Sequence, residues 1–142
     1  MSTQTGPTPK GWATREETPI HHEWLTREEH EGLHVTVLRP ILAKDELDYS
    51  KVAQVAQVSR SIPRYPGLGM IVDLSAIVYL DSSGLSWMIK LQKDVRAHQG
   101  TVVFVTNEVI DNILSLTKAN SILFAVGTFE AAIDLLKKIN SA

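Results

Sequence analysis

Two adjacent serine hydroxyls, in the segment Asp81-Ser82-Ser83-Gly84, are the side chains of this chain best placed for chemistry. They come directly before a predicted helix, whose first backbone amides have no hydrogen-bond partner within the helix. A serine at this position can cap the helix by accepting from those amides. The position also suits a phosphorylated hydroxyl, because the free amides and the helix dipole stabilise negative charge by about 0.3–1 kcal/mol. Taken alone, the tetrapeptide favours the helix cap.

Other kinds of chemistry lack the residues that they require. The chain has no cysteine, which excludes disulfides and thiolate metal sites. His21, His22, His30 and His34 do not show a spacing typical of metal ligands, so we assign no metal and no cofactor. The sequence contains no GxSxG nucleophile elbow and no glycine-rich phosphate loop, so we expect no catalytic residue and no enzyme.

Length and composition indicate one domain with a tail. The chain has 142 residues, of which 44% are hydrophobic and 21% charged, and its net charge is −2. These values are typical of a globular protein and give no broad attraction to nucleic acid. No apolar run is long enough to span a bilayer. We expect a flexible tail over residues 1–22, a domain over residues 23–142 and a cytoplasmic location.

Hydrophobic patterns predict strands that alternate with helices. Two strands around the turn Glu31-Gly32 form an N-terminal hairpin, the second running from Leu33 to Leu38. The expected later elements are a helix capped by Asp45 and ending near Ser61, a strand from Leu68 to Leu74, a helix after Asp81-Ser82-Ser83-Gly84 that stops at Gly100, a strand from Thr101 to Thr106, a helix from Asn107 to Thr117, a strand from Ile122 to Val126 and a helix capped by Thr128. This order predicts an α/β fold with a mixed, mostly parallel sheet of about five strands, about four helices and a hairpin edge.

The run from Asp73 to Leu85 reads DLSAIVYLDSSGL and joins a buried strand to the second helix. This run, with the order and spacing of the later elements, resembles the STAS domain family and, within it, the bacterial anti-sigma-factor antagonists. The resemblance covers about residues 24 to 140. It implies the fold predicted above and a role in regulating transcription through binding of a partner protein.

The resemblance also implies how the binding is controlled. In the family, the serine directly after the aspartate is phosphorylated by an anti-sigma factor that is also a serine kinase, and a phosphatase reverses the modification. The matching residue is Ser82, with Ser83 the lesser candidate. The unphosphorylated protein binds the kinase and thereby frees a sigma factor. We expect no direct nucleic-acid partner, no membrane partner, and a monomer or weak dimer.

The start of the second helix is the expected contact surface for the partner. Its predicted partner-binding residues are Asp81, Ser82, Ser83, Gly84, Ser86, Trp87 and Lys90. Trp87 lies at the border of the buried stripe of this helix, so it either covers the edge of the core or anchors the partner. A different role also stays open, in which the chain is a non-phosphorylated scaffold or an accessory subunit of a larger signalling or transporter assembly.

Overall fold

The fold is given by a computed structural model, which describes residues 22–140. The strands in this range are β1 (Leu25–His30), β2 (Leu33–Leu38), β3 (Glu46–Leu47), β4 (Gly69–Asp73), β5 (Tyr79–Leu80), β6 (Thr101–Val105) and β7 (Ala125–Val126). The helices are α1 (Tyr49–Arg60), α2 (Ser82–Ala97), α3 (Glu108–Leu116) and α4 (Phe129–Asn140). Apart from His22, the predicted tail over residues 1–22 lies outside the described residues. No helix between residues 22 and 140 combines the length and the apolar character that a membrane span requires.

The main sheet has five strands in the order β1-β2-β4-β6-β7. β1 pairs antiparallel with β2, and every other neighbouring pair is parallel. The hairpin turns at Glu31 and Gly32, whose φ angles of 53° and 86° are both positive, as a type I′ hairpin turn requires. The predicted hairpin edge and the mostly parallel sheet are therefore confirmed.

Alternate side chains of the central strands point into two cores on opposite faces of the sheet. Met70, Val72 and Phe104 pack on the face that is covered by α1, α2 and α3. Ile71 and Val103 pack on the other face, against α4. The near-continuous apolar character of β4 and β6 follows from this burial on both faces. Helices on both sides of the sheet confirm the predicted α/β class.

The first helix begins later than the sequence pattern predicted, and a different residue caps it. Asp45 lies in a single 3-10 turn, with a φ of 54°, whereas a capping residue has an extended backbone. Asp48 takes that role: its backbone is extended, and its Oδ1 accepts the Ser50 N–H at 3.0 Å. The prediction that Asp45 caps this helix is wrong, because the chain makes a further turn before α1.

The last strand is shorter than predicted, since only Ala125 and Val126 of the stretch 122–126 pair with β6. The buried Gln92 of α2 binds the backbone that precedes this strand. Its side-chain amide donates to the Ile122 carbonyl at 2.6 Å and accepts the Phe124 N–H at 2.8 Å. A glutamine side chain thus satisfies backbone groups that the prediction assigned to a strand ladder.

A second, two-stranded sheet was not predicted, and it positions the start of α2. β3 and β5 pair in parallel, with Leu47 opposite Leu80. The Val78 N–H also donates to the Asp45 carbonyl at 2.8 Å. These bonds hold the connection between β4 and α2 against the chain that leads into α1.

Candidate functional site

The carboxylate of Asp81 brings the first turns of α1 and α2 together. Its Oδ1 accepts the Gly84 N–H at 3.0 Å, which caps α2, and its Oδ2 accepts the Tyr49 N–H at 2.9 Å, at the first residue of α1. Both helices connect parallel strands of the main sheet, so they run in the same direction from this common start. Asp81 therefore has a structural role, whatever further contacts it makes.

Ser82 is the first residue of α2, and its side chain is exposed. Because Asp81 caps the helix, neither serine is needed for that purpose. Within the described part of the chain, the hydroxyls of Ser82 and Ser83 make no hydrogen bond to another protein group. Ser83 is half-buried, so of the two hydroxyls that of Ser82 is more accessible to a second protein.

Gly84 allows α2 to approach the small sheet closely. A Cβ atom at this position would lie 2.5 Å from Leu80 Cδ1 and 2.9 Å from the Leu47 carbonyl oxygen. The second contact is with backbone, which cannot rotate away. The glycine of the DSSG segment is therefore required by packing beneath the helix, on the side away from the solvent.

A groove between α1 and α2 opens directly beside Ser82 and has a volume of about 510 Å³. We call it the α1–α2 groove. It is lined by Val52, Ala56, Arg60, Ser82, Ser83, Ser86, Trp87 and Lys90. Five of the seven predicted partner-binding residues therefore share this one surface feature. Arg60 is a lining residue that sequence reasoning missed, because it lies at the end of the other helix.

Trp87 is a buried residue of the core that reaches the groove only by its edge. Its side chain is 5% exposed, and its ring packs edge-to-face against Phe104 with 6.4 Å between ring centroids. The indole Nε1–H donates to Ser59 Oγ at 3.4 Å. Of the two roles that the sequence left open, the packing role accounts for these contacts. Ser86 and Lys90, by contrast, are exposed.

Three exposed apolar or aromatic side chains surround the start of α2, and none of them was predicted as a site residue. Tyr49 is 78% exposed, and Val78 and Tyr79, just before Asp81 in the chain, are 58% and 49% exposed. Clusters of exposed apolar residues commonly mark protein-binding surfaces. The sequence pattern identified the run that contains Val78 and Tyr79 only as a connection between a strand and the second helix, and it gave no sign that these side chains are exposed.

The chain was compared with known proteins and solved structures. The family model described as "STAS domain" matches residues 43–134. A comparison with curated proteins gives no match. Solved structures do match, and three of them are anti-sigma factor antagonists.

The first of these, from Mycobacterium paratuberculosis, is 19% identical with a TM-score of 0.62, over 80% of this chain and 92% of that one. The second, a STAS domain protein from Planctomyces limnophilus, is 17% identical with a TM-score of 0.65, over 80% and 97%. The third, SpoIIAA in its unphosphorylated form, is 16% identical with a TM-score of 0.53, over 80% and 96%. At these identities the likeness concerns the fold. The family match covers well over half of the chain and contains the DSSGL segment and both helices of the groove. The chain therefore belongs to the STAS domain family.

Proposed function

We propose that this chain is a phosphorylation-controlled antagonist of an anti-sigma factor, and that Ser82 accepts the phosphate. The proposal rests chiefly on the exposed Ser82 hydroxyl at the first position of α2, which forms no hydrogen bond to another group of residues 22–140. The fold likeness to anti-sigma factor antagonists supports it. In this proposal the chain acts in the cytoplasm by binding another protein and catalyses no reaction itself.

The modification is a phosphoryl transfer from ATP that is catalysed by the partner kinase. The Ser82 oxygen forms a bond to the γ-phosphorus while the bond from that phosphorus to the bridging oxygen breaks. ADP leaves, and the hydroxyl proton passes to a base of the kinase. The reverse step is hydrolysis of the phosphoserine by a phosphatase, which releases inorganic phosphate and restores the hydroxyl.

The fold should tolerate the phosphate. The group adds a charge of about −1.5 to −2, and it stands at the N-terminus of α2, where the helix dipole favours negative charge by about 0.3–1 kcal/mol. Because Ser82 is exposed and its side chain forms no hydrogen bond within the described range 22–140, no contact in the core has to be broken. Phosphorylation therefore leaves the domain folded.

A partner docked on this corner does not tolerate the phosphate. The dianion stands next to the half-buried carboxylate of Asp81 and close to the exposed side chains of Tyr49 and Tyr79. A protein that covers these apolar groups has to remove water from the dianion as well, which costs several kcal/mol unless cations compensate. The unphosphorylated form consequently binds the anti-sigma factor and frees a sigma factor, whereas the phosphorylated form does not.

The test is a kinase assay on the intact chain. Each anti-sigma kinase encoded in the same genome is purified and incubated with the chain and ATP, and the phosphorylated residue is mapped by mass spectrometry. We expect phosphate on Ser82 with one of these kinases, none on a Ser82→Ala variant and full labelling of a Ser83→Ala variant. If no kinase modifies Ser82, and a Ser82→Asp variant binds its partner as tightly as the wild type, the chain acts as a scaffold or accessory subunit and the proposal is wrong.

A further inference from the structure

The α1–α2 groove has an apolar floor and a basic end, a combination that phosphorylation of Ser82 does not itself require. The floor contains the half-buried Val52 and Ala56 and the edge of Trp87. Further along the groove, Arg60 at the end of α1 and Lys90 of α2 line opposite sides, and both are exposed. Such a surface suits a ligand whose apolar part lies on the floor and whose negative charges lie at the end that contains Arg60 and Lys90.

The two cations at this end are available for binding. Among residues 22–140, neither Arg60 nor Lys90 forms an ion pair with a carboxylate. The neighbouring Arg64 differs, because its Nε lies 2.8 Å from Asp94 Oδ2. In this ion pair the two opposite charges offset each other. The net charge of the whole chain is −2, so the positive charge of the groove is a local feature.

The groove is long enough for a segment of protein. A second hollow of about 250 Å³ adjoins it and shares Ala56, Arg60, Trp87 and Lys90 as lining residues. From Ser82 to Asp94, α2 rises by about 18 Å at 1.5 Å per residue. Extended chain of five or six residues, at about 3.3 Å per residue, covers that length.

We infer that the α1–α2 groove binds an acidic segment of the anti-sigma factor, with carboxylates beside Arg60 and Lys90 and apolar side chains on Val52, Ala56 and Trp87. This inference rests on the proposed function and names the chemistry of the partner. It also predicts that phosphorylation of Ser82 weakens this contact. Ser82 lines the mouth of the same groove, so a dianion there repels an acidic segment that lies along the groove.

The experiment measures the affinity of the intact chain for its anti-sigma kinase by isothermal titration calorimetry. We expect Arg60→Glu and Lys90→Glu each to weaken binding about fivefold. The double variant should bind more weakly than either single variant, although the two losses need not add because both side chains line the same groove. Added salt should weaken binding of the wild type more steeply than binding of the double variant.

Lys93→Glu is the matched control, because Lys93 is an exposed lysine of α2 that lines neither hollow. It should change the affinity less than twofold. Equal affinity of the double variant and the wild type would overturn the inference while leaving the proposed function intact. If the wild type binds no anti-sigma kinase, both the inference and the proposed function are wrong. A wild-type dimer that Arg60→Glu dissociates in sedimentation would assign the groove to a second copy of this chain and would also overturn the inference.

Discussion

Asp81 Oδ2 accepts the backbone N–H of Tyr49 at 2.9 Å, across a separation of 32 residues in the chain. The same carboxylate caps α2 through its other oxygen, which accepts the Gly84 N–H. The residue before the predicted phosphorylation site thus fixes the start of one helix relative to the start of the next. Together with the pairing of β3 and β5, this side chain aligns the two walls of the α1–α2 groove.

Replacing Asp81 by alanine should therefore cost more stability than removing a simple helix cap. Loss of a capping side chain costs about 0.5–2 kcal/mol, and Asp81→Ala also leaves the Tyr49 N–H without its partner. We expect the free energy of unfolding, measured by urea denaturation, to fall by about 2 kcal/mol. Asp48→Ala, which removes the cap of α1 alone, should cost about 1 kcal/mol. A smaller loss for Asp81→Ala than for Asp48→Ala would contradict the bridging role.

Gly84 should tolerate no side chain. In Gly84→Ala the new methyl group would meet Leu80 and the Leu47 backbone, and overpacking of this kind costs about 1–3 kcal/mol. Alanine has a higher helix propensity than glycine, which offsets up to about 1 kcal/mol of this cost. We therefore expect the free energy of unfolding to fall by about 1–2 kcal/mol. Gly127→Ala is the control, since a Cβ there has no atom within 4 Å. Equal stability of the two variants would show that α2 is not tightly packed here.

Trp87 should be a residue of the core in stability measurements. Its side chain is 5% exposed and packs on Phe104, and truncation of a buried tryptophan to alanine typically costs about 3–5 kcal/mol. Thermal or urea unfolding of Trp87→Ala should show a loss of this size, against less than about 0.5 kcal/mol for the exposed neighbour in Ser86→Ala. A loss below 1 kcal/mol for Trp87→Ala, with weakened partner binding, would instead support the anchor role.

A polar cluster on the hairpin should make stability depend on pH. Burial tends to raise the pKa of Glu28, but hydrogen bonds from His30, Thr26 and Arg39, together with the Arg39 charge, outweigh it and hold the pKa below its usual range. A carboxyl whose pKa is lowered by folding stabilises the protein above its unfolded pKa of about 4.3 and loses that contribution as the pH falls through the folded value.

The comparison of wild type with Glu28→Gln isolates this contribution. We expect the wild type to be more stable at pH 7 and the difference to shrink as the pH falls below about 4.3, with urea unfolding as the measurement. A difference that stays constant between pH 7 and pH 3 would show that the ionised carboxylate contributes nothing.

The fold was largely predictable because its signals are local in the sequence. β4 and β6 are short apolar runs that lie buried on both faces of a sheet, and Glu31-Gly32 supplies the positive φ angles of the hairpin turn. The predictions that failed concern features that depend on contacts between distant segments of the chain. Asp45 does not cap α1, because the chain first pairs Glu46 and Leu47 with β5 and only then reaches the capping residue Asp48.

The candidate site was predicted along one helix only. The DSSGL pattern identifies Ser82 and its neighbours on α2, but nothing in that pattern points to Tyr49 or Arg60. Those two residues join the site because Asp81 binds the start of α1 and because α1 forms the other wall of the groove. Trp87 was ambiguous for a related reason, since its burial depends on Ser59 of α1 and Phe104 of β6.

The most direct measurement compares the chain carrying phosphate on Ser82 alone with the unmodified chain in binding to the cognate anti-sigma kinase. Phosphoserine is incorporated at position 82 during synthesis, and both proteins are titrated calorimetrically and melted in parallel. We expect affinity to fall at least about tenfold, a change of roughly 1.4 kcal/mol, while the melting temperatures stay within a few degrees. Equal affinities, or a phosphorylated protein that unfolds, would contradict the account of Ser82 as a switch on an intact domain.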